Sequence, residues 1–316
     1  MPTPVLSPET MPARDGQGAG TAADLARIAR PRQWTKNVVC FAALVFAGKL
    51  GDPQALRRAA LAFLCFCFAS SAVYVFNDVR DREEDRVHPV KRGRPVAAGR
   101  LSPWAALVWA LVLAGVSLAL SIGLAARFRW VLGGFLLVNL LYSGGLKRVA
   151  VVDVMVVATC FVLRVQSGIE AIGAPQSAWI ILCMFFMALF LAVGKRRGEI
   201  LHLPGGAIAL HRPVLEAYSV GFLDLLLAVS ATTTIVCYSL YAVTVQSNET
   251  FLITILPVVF GIVRYLMLVL VDARGEDPGE VLTRDVPLLA AVAVWSLLCI
   301  AVLYFDLQLF PPVAGR

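Results

Sequence analysis

The sequence predicts an all-α polytopic membrane protein: about nine transmembrane helices in one bundle, with the functional site on the cytoplasmic side. Three observations carry that expectation. Hydrophobic residues make up 59% of the 316-residue chain and charged residues only 16%, against roughly 45–50% and 25% in soluble domains. The apolar residues fall in runs divided by short polar stretches, and the basic residues collect in alternate stretches. A soluble globular domain is thereby excluded, and nothing in the chain resembles the interleaved basic and aromatic surface of a nucleic-acid binder.

Residues 1–22 are rich in Pro, Gly and small polar residues and lack the apolar core of a signal peptide. They are expected to form a disordered tail ahead of a single domain over 23–316. Asp24 to Arg32 reads as a short amphipathic helix at the membrane surface, stopped by Pro31. Apolar runs follow at 37–49, 59–76, 103–126, 130–141, 149–172, 178–193, 218–245, 251–271 and 287–310. The short ones must end in protein-lined polar surroundings or extend into their flanks.

Nine crossings would place 20 Lys and Arg residues on the N-terminal side of the membrane and six on the other, with Arg164 and Arg264 inside spans. Cytoplasmic loops collect Lys and Arg, so the richer side is the cytoplasmic one and the net charge of +7 reports orientation. All seven cysteines lie in apolar runs without metal-ligand spacing and read as small buried residues.

The stretch after the second run, Asn77 to Pro95, carries far more charge than loop closure requires. At about 100° per residue, Asn77, Asp81, Asp85 and Asp78 fall within about 100° of one another if the preceding helix continues. Carboxylates that close repel unless a cation lies between them. Hard oxygen ligands with phosphate as co-ligand suit Mg²⁺. The alternative is a solvated charged loop with internal ion pairs.

The pattern Asn77-Asp78-x-x-Asp81-x-x-x-Asp85 after an apolar helix resembles the first aspartate-rich motif of the UbiA superfamily of intramembrane prenyltransferases. In that superfamily the motif holds Mg²⁺ and a diphosphate. Further motifs at Arg30 to Asn37, Ser71 to Tyr74, His88 to Gly99, Tyr142 to Lys147 and Lys195 to Glu199 are similar to one branch of it. That branch moves 5-phosphoribose from phosphoribosyl pyrophosphate (PRPP) to decaprenyl or another polyprenyl phosphate, yielding a precursor of cell-wall arabinan. The resemblance implies a UbiA-like bundle in the plasma (inner) membrane, with Asn77, Asp78, Asp81 and Asp85 as metal ligands and the three aspartates as the catalytic set.

One departure from the wider superfamily has a chemical consequence. Where aromatic prenyltransferases carry a second aspartate-rich motif, in the loop after the sixth span, this chain reads Lys195-Arg196-Arg197-Gly198-Glu199. Two substrates that each bring phosphate would want such cations, whereas an aromatic acceptor would not. The same residues also fit the positive-inside pattern alone.

The candidates for binding substrate are Lys36, Arg86, His88, Lys91, Arg94, Tyr142, Lys147, Lys195 and Arg196, together with the intramembrane charges Asp153 and Arg164. Charges within spans are costly and by default functional. Asp153 and Arg164 share a helix face but lie about 16 Å apart along it, so they cannot pair directly. Asp224 and Arg264 read as structural. A phosphate nucleophile is already ionised and needs no general base, in keeping with only three histidines, His88, His202 and His211. The competing expectations are prenyl transfer to an aromatic acceptor and a transporter. Against the transporter, the acidic residues cluster at a helix end and not at mid-membrane.

Overall fold

The computed structural model describes residues 22–88, 90–202, 213–246, 248–271 and 278–309. Residues 1–21 of the expected tail, Pro89, and the stretch containing His211 lie outside these, and Ala22 is the first residue of α1. Among the described residues the α-helices are α1 (Ala22–Ile28), α2 (Ala42–Phe46), α3 (Pro53–Arg80), α4 (Arg82–Val87), α5 (Pro103–Ser121), α6 (Ala126–Gly144), α7 (Val152–Ile172), α8 (Ala178–His202), α9 (Val220–Thr244), α10 (Ile255–Leu270), α11 (Pro278–Arg284) and α12 (Val286–Phe305).

Local chemistry sets several helix starts. Asp52 accepts from the amides of Gln54 (2.8 Å) and Ala55 (3.2 Å) ahead of Pro53, and Ser102 accepts from Ala105 N ahead of Pro103. Ser219 caps α9, and Asp285 caps α12 through Leu288 N. Each supplies the acceptor that the first turn lacks, and proline at the first helical positions loses no bond there.

Among the described residues, seven segments are long and apolar enough to cross a membrane: α3, α5, α7, α8, α9, Glu249–Leu270 and α12. The protein is therefore an integral membrane protein. Two of the expected runs differ from these seven. The run at 130–141 lies in α6, whose Arg127, Arg129, Asn139 and Ser143 lower its hydropathy. The run at 37–49 is not an α-helix over most of its length. It begins as a 3-10 segment, Pro31–Phe41, and continues as the short α2.

The looser pitch of that segment stretches 16 residues over roughly 30 Å. Its start lies at Asp78, near the C-terminal end of α3. Just past its far end, Lys49 donates to Ile172 O at the end of α7 and Leu50 N donates to Tyr304 Oη. What draws the segment into the bundle is backbone contact: a Cβ on Gly168 would lie 2.0 Å from Cys40 O. Gly168→Ala is therefore expected to lower the melting temperature in detergent, although a mid-helix Gly→Ala change would otherwise add about 1 kcal/mol. A variant as stable as the parent would contradict this packing.

Helix α7 joins two cores. With α2, α3 and α6 it buries Cys40, Leu44, Phe66, Phe128, Phe135 and Val165. With α8, α9 and α10 it buries Val154, Phe190, Leu223, Leu227 and Tyr265. α3 is the most enclosed span, 61% buried over its apolar window, and α12 the least at 22%. The polar ends of α3, α7 and α8 are thus held by helices packed on several sides.

Candidate active site

The carboxylates stand on one continuous helical path. α3 ends at Arg80 and α4 starts at Arg82, yet the i to i−4 ladder runs through the joint: Asp81 N donates to Asn77 O (2.9 Å) and Asp85 N to Asp81 O (2.8 Å). Asn77, Asp78, Asp81 and Asp85 therefore keep the shared face that the spacing predicts. Asp78 and Asp85 are buried, at 2% and 3% exposure.

Three surrounding segments meet this face with cations. Arg30, at the mouth of the 3-10 segment, pairs with Asp78 Oδ1 and lies over the Tyr74 ring at 5.3 Å. Arg94 bridges two carboxylates through one nitrogen, Nη1, at 3.0 Å from Asp78 and 2.6 Å from Asp85. Lys147, in the turn Leu146–Arg148, pairs with Asp81. The turn is docked further by Ser143 Oγ donating to Asn77 Oδ1 (2.6 Å), by Arg80 donating to Gly144 O (2.9 Å) and by Arg148 on Glu84 (3.2 Å).

The next loop is organised by His88 and Arg86. His88 Nδ1 accepts from Val90 N (3.1 Å) and Lys91 N (3.3 Å), which leaves the proton of a neutral ring on Nε2. Arg86 holds Ala97 O and Glu83. It also borders a groove of about 770 Å³ with Arg82, Arg100, Leu25, Trp109 and Val112.

A second polar knot joins α7 to α8. Asp153, fully buried, receives Arg196 Nε on Oδ2 (2.8 Å) and the Tyr218 hydroxyl on Oδ1 (2.6 Å). Arg196 also holds Glu199 (2.8 Å) and lies within electrostatic reach of Tyr142. Burial first, and then the hydrogen bond to Asp153, push the Tyr218 hydroxyl up to about 12, so it stays a donor at neutral pH. Arg197 turns the other way, to Asp224 (2.5 Å) and Val269 O (2.7 Å).

Residues 195–199, expected in a loop, are the last turns of α8. Helix-forming Lys, Arg and Glu at i, i+3 spacing extend the span, and Arg196 and Arg197 there are held by the chain's own carboxylates. Deeper in the bundle, Arg164 donates to Asn37 Oδ1 (2.7 Å) and Cys160 O (3.1 Å), with Phe135 and Phe161 at 4.9 and 5.2 Å. It is thus separate from Asp153, as the spacing requires. Asp224 and Arg264 pair with Arg197 and Asp285. Lys36 is exposed on the 3-10 segment, while Lys91 and Lys195 are half-buried.

Among the described residues, no group of three His, Cys, Asp or Glu is already gathered around one point to hold a metal. The donor chemistry nevertheless fits a hard divalent cation: every candidate ligand is an oxygen, and Asp78 and Asp85 converge on a common point, where Arg94 Nη1 lies. Asp81 would have to turn from Lys147. Sequence reasoning missed Arg30, Ser143 and Tyr218 as members of these networks. Arg30 counted only as a positive-inside residue and part of a motif, although an Arg immediately before Pro31 marks where the chain turns into the bundle.

Three comparisons bear on this arrangement. The profile of the UbiA prenyltransferase family matches residues 37–278. The chain is 35% identical to decaprenyl-phosphate phosphoribosyltransferase of Mycolicibacterium smegmatis, covering 95% of this chain and 98% of that protein. It is 38% identical to the Mycobacterium tuberculosis protein of the same name, covering 88% and 93%. The fold is similar to that of a UbiA homologue from Archaeoglobus fulgidus bound to DMAPP and Mg²⁺, with a TM-score of 0.70, 20% identity, and 90% and 100% of the two chains covered.

Proposed function

The chain belongs to the UbiA prenyltransferase family, and from that premise we propose that it is a transferase moving 5-phosphoribose from PRPP to decaprenyl or another polyprenyl phosphate. The reaction releases diphosphate and makes a polyprenylphosphoryl-5-phosphoribose for cell-wall arabinan. It takes place on the cytoplasmic side of the plasma membrane and depends on Mg²⁺. The observation that carries this reading is the pairing of an all-oxygen acidic cluster with the cations Arg30, Arg94 and Lys147 at one end of the bundle. Relatives of 35% and 38% identity that bear the phosphoribosyltransferase name support it.

Asn77, Asp78, Asp81 and Asp85 would hold the metal, which would supply charge stabilisation to the departing diphosphate. The chain's cations do the orienting. Arg30, Arg94 and Lys147 stand within contact of the carboxylates, so the diphosphate attached to C1 of PRPP reaches them at the same place. Planar guanidinium groups suit two-point contact with phosphate oxygens. Lys36, Lys91 and Lys195 are the cations for the 5-phosphate and the lipid phosphate, and His88 shapes the 88–97 loop that carries Arg94. The groove beside Arg86 pairs an apolar wall with a cationic rim, which suits a lipid phosphate.

As diphosphate leaves, positive charge develops on the ribose ring and a lipid phosphate oxygen attacks C1 from the opposite face. The α-anomeric donor then gives a β-linked product. No proton need be removed from that nucleophile, and no general base is assigned. The test is a donor comparison with purified protein, Mg²⁺ and membrane lipid. Labelled PRPP with polyprenyl phosphate is expected to yield a labelled lipid, whereas prenyl diphosphate with aromatic acids yields none. Product only from the prenyl donor would overturn the reading in favour of aromatic prenyl transfer.

A further inference from the structure

The carboxylate cluster is electrically closed by direct contacts. Asp78, Asp81 and Asp85 are met by Arg30, Arg94 and Lys147. A divalent cation entering alone would add two positive charges to a balanced and largely buried group, at a cost that burial makes large. A cation entering with a diphosphate brings more negative charge than positive, and the displaced guanidinium and ammonium groups then have phosphate oxygens to take. The two halves of the cluster also differ in support. The carboxylates stand on the α3–α4 path, whereas Arg30, Arg94 and Lys147 stand on non-α-helical chain: a left-handed residue ahead of Pro31, the loop after Lys91–Gly93, and the turn Leu146–Arg148. Arg30 keeps its contact with the Tyr74 ring as an alternative to Asp78.

We propose that Arg30, Arg94 and Lys147 are displaceable counter-cations that shut the carboxylates to a bare divalent metal and turn to phosphate oxygens when a diphosphate arrives with it. Metal and donor then bind together and not in succession, and Arg30 joins the donor-binding residues. This rests on the metal-and-diphosphate reading of the site.

The test uses the full chain in lipid nanodiscs and Mn²⁺ as a paramagnetic probe, with protein-bound Mn²⁺ counted alone and with PRPP, inorganic diphosphate or geranyl diphosphate. The wild type is expected to bind Mn²⁺ weakly alone and at least about tenfold more tightly with PRPP or inorganic diphosphate. In Arg30→Gln and in Arg94→Gln, Mn²⁺ alone binds about tenfold more tightly than in the wild type, and the gain from diphosphate shrinks. Arg30→Lys keeps the charge and stays close to the wild type. Equal Mn²⁺ affinity with and without diphosphate in the wild type would overturn the proposal, as would unchanged or weakened binding of Mn²⁺ alone in whichever of the two Gln variants folds. Enhancement by geranyl diphosphate but not by PRPP would keep the counter-cation role and overturn only the donor.

Discussion

Asp85→Asn is expected to lower turnover by about 10²–10³, the range for losing one electrostatic element of an active site, with the yield of folded protein close to that of the wild type. The side chain keeps its shape and can still meet Arg94, which in turn keeps Asp78. The missing charge therefore falls on the reaction. Stability depends more on the spans, and Asp85 stands beyond them on α4. Specific activity per folded molecule, read beside size-exclusion yield, separates the two effects. Retention of more than a tenth of the activity, a loss under about 1.4 kcal/mol in the barrier, would remove Asp85 from the charged set.

Asp153→Ala is expected to act in the opposite way, on folding first. It strips Arg196 of a buried partner and leaves the Tyr218 hydroxyl without its acceptor. Breaking a buried ion pair from one side costs about 3–5 kcal/mol, enough to lower the melting temperature in detergent sharply and to cut membrane yield. Tyr218→Phe removes two hydrogen bonds, one given to Asp153 Oδ1 and one received from Val151 N, and should cost about 1–3 kcal/mol, still less than Asp153→Ala. The ordering of the two variants is the readout. If Asp153→Ala were as stable as Tyr218→Phe while activity vanished, Asp153 would be a substrate contact and not the joint between α7 and α8.

The helical class was legible because apolar runs of span length leave few other folds. The common face of Asn77, Asp78, Asp81 and Asp85 was legible because helical periodicity survives the α3–α4 joint. The 3-10 course of Pro31–Phe41 was not, since it depends on Gly168 admitting the Cys40 carbonyl from a helix 127 or more residues away in sequence. The cationic motif at 195–199 suggested a binding loop, because composition near a span end cannot reveal that Asp153 and Asp224 are waiting on neighbouring helices. Arg30 escaped for the same reason: its partner Asp78 lies 48 residues on, and ion pairing between segments leaves no periodic trace.

In the proposed reaction the bond made joins C1 of ribose to an oxygen of the lipid phosphate. Polyprenyl phosphate carrying ¹⁸O in its non-bridging oxygens, incubated with the protein, Mg²⁺ and unlabelled PRPP, tests it directly by mass spectrometry of both products. The phosphoribosylated lipid is expected to keep every labelled oxygen, the released diphosphate to carry none, and the new linkage at C1 to be β. Labelled inorganic phosphate in the medium, with the polyprenyl chain moved to another acceptor, would contradict it.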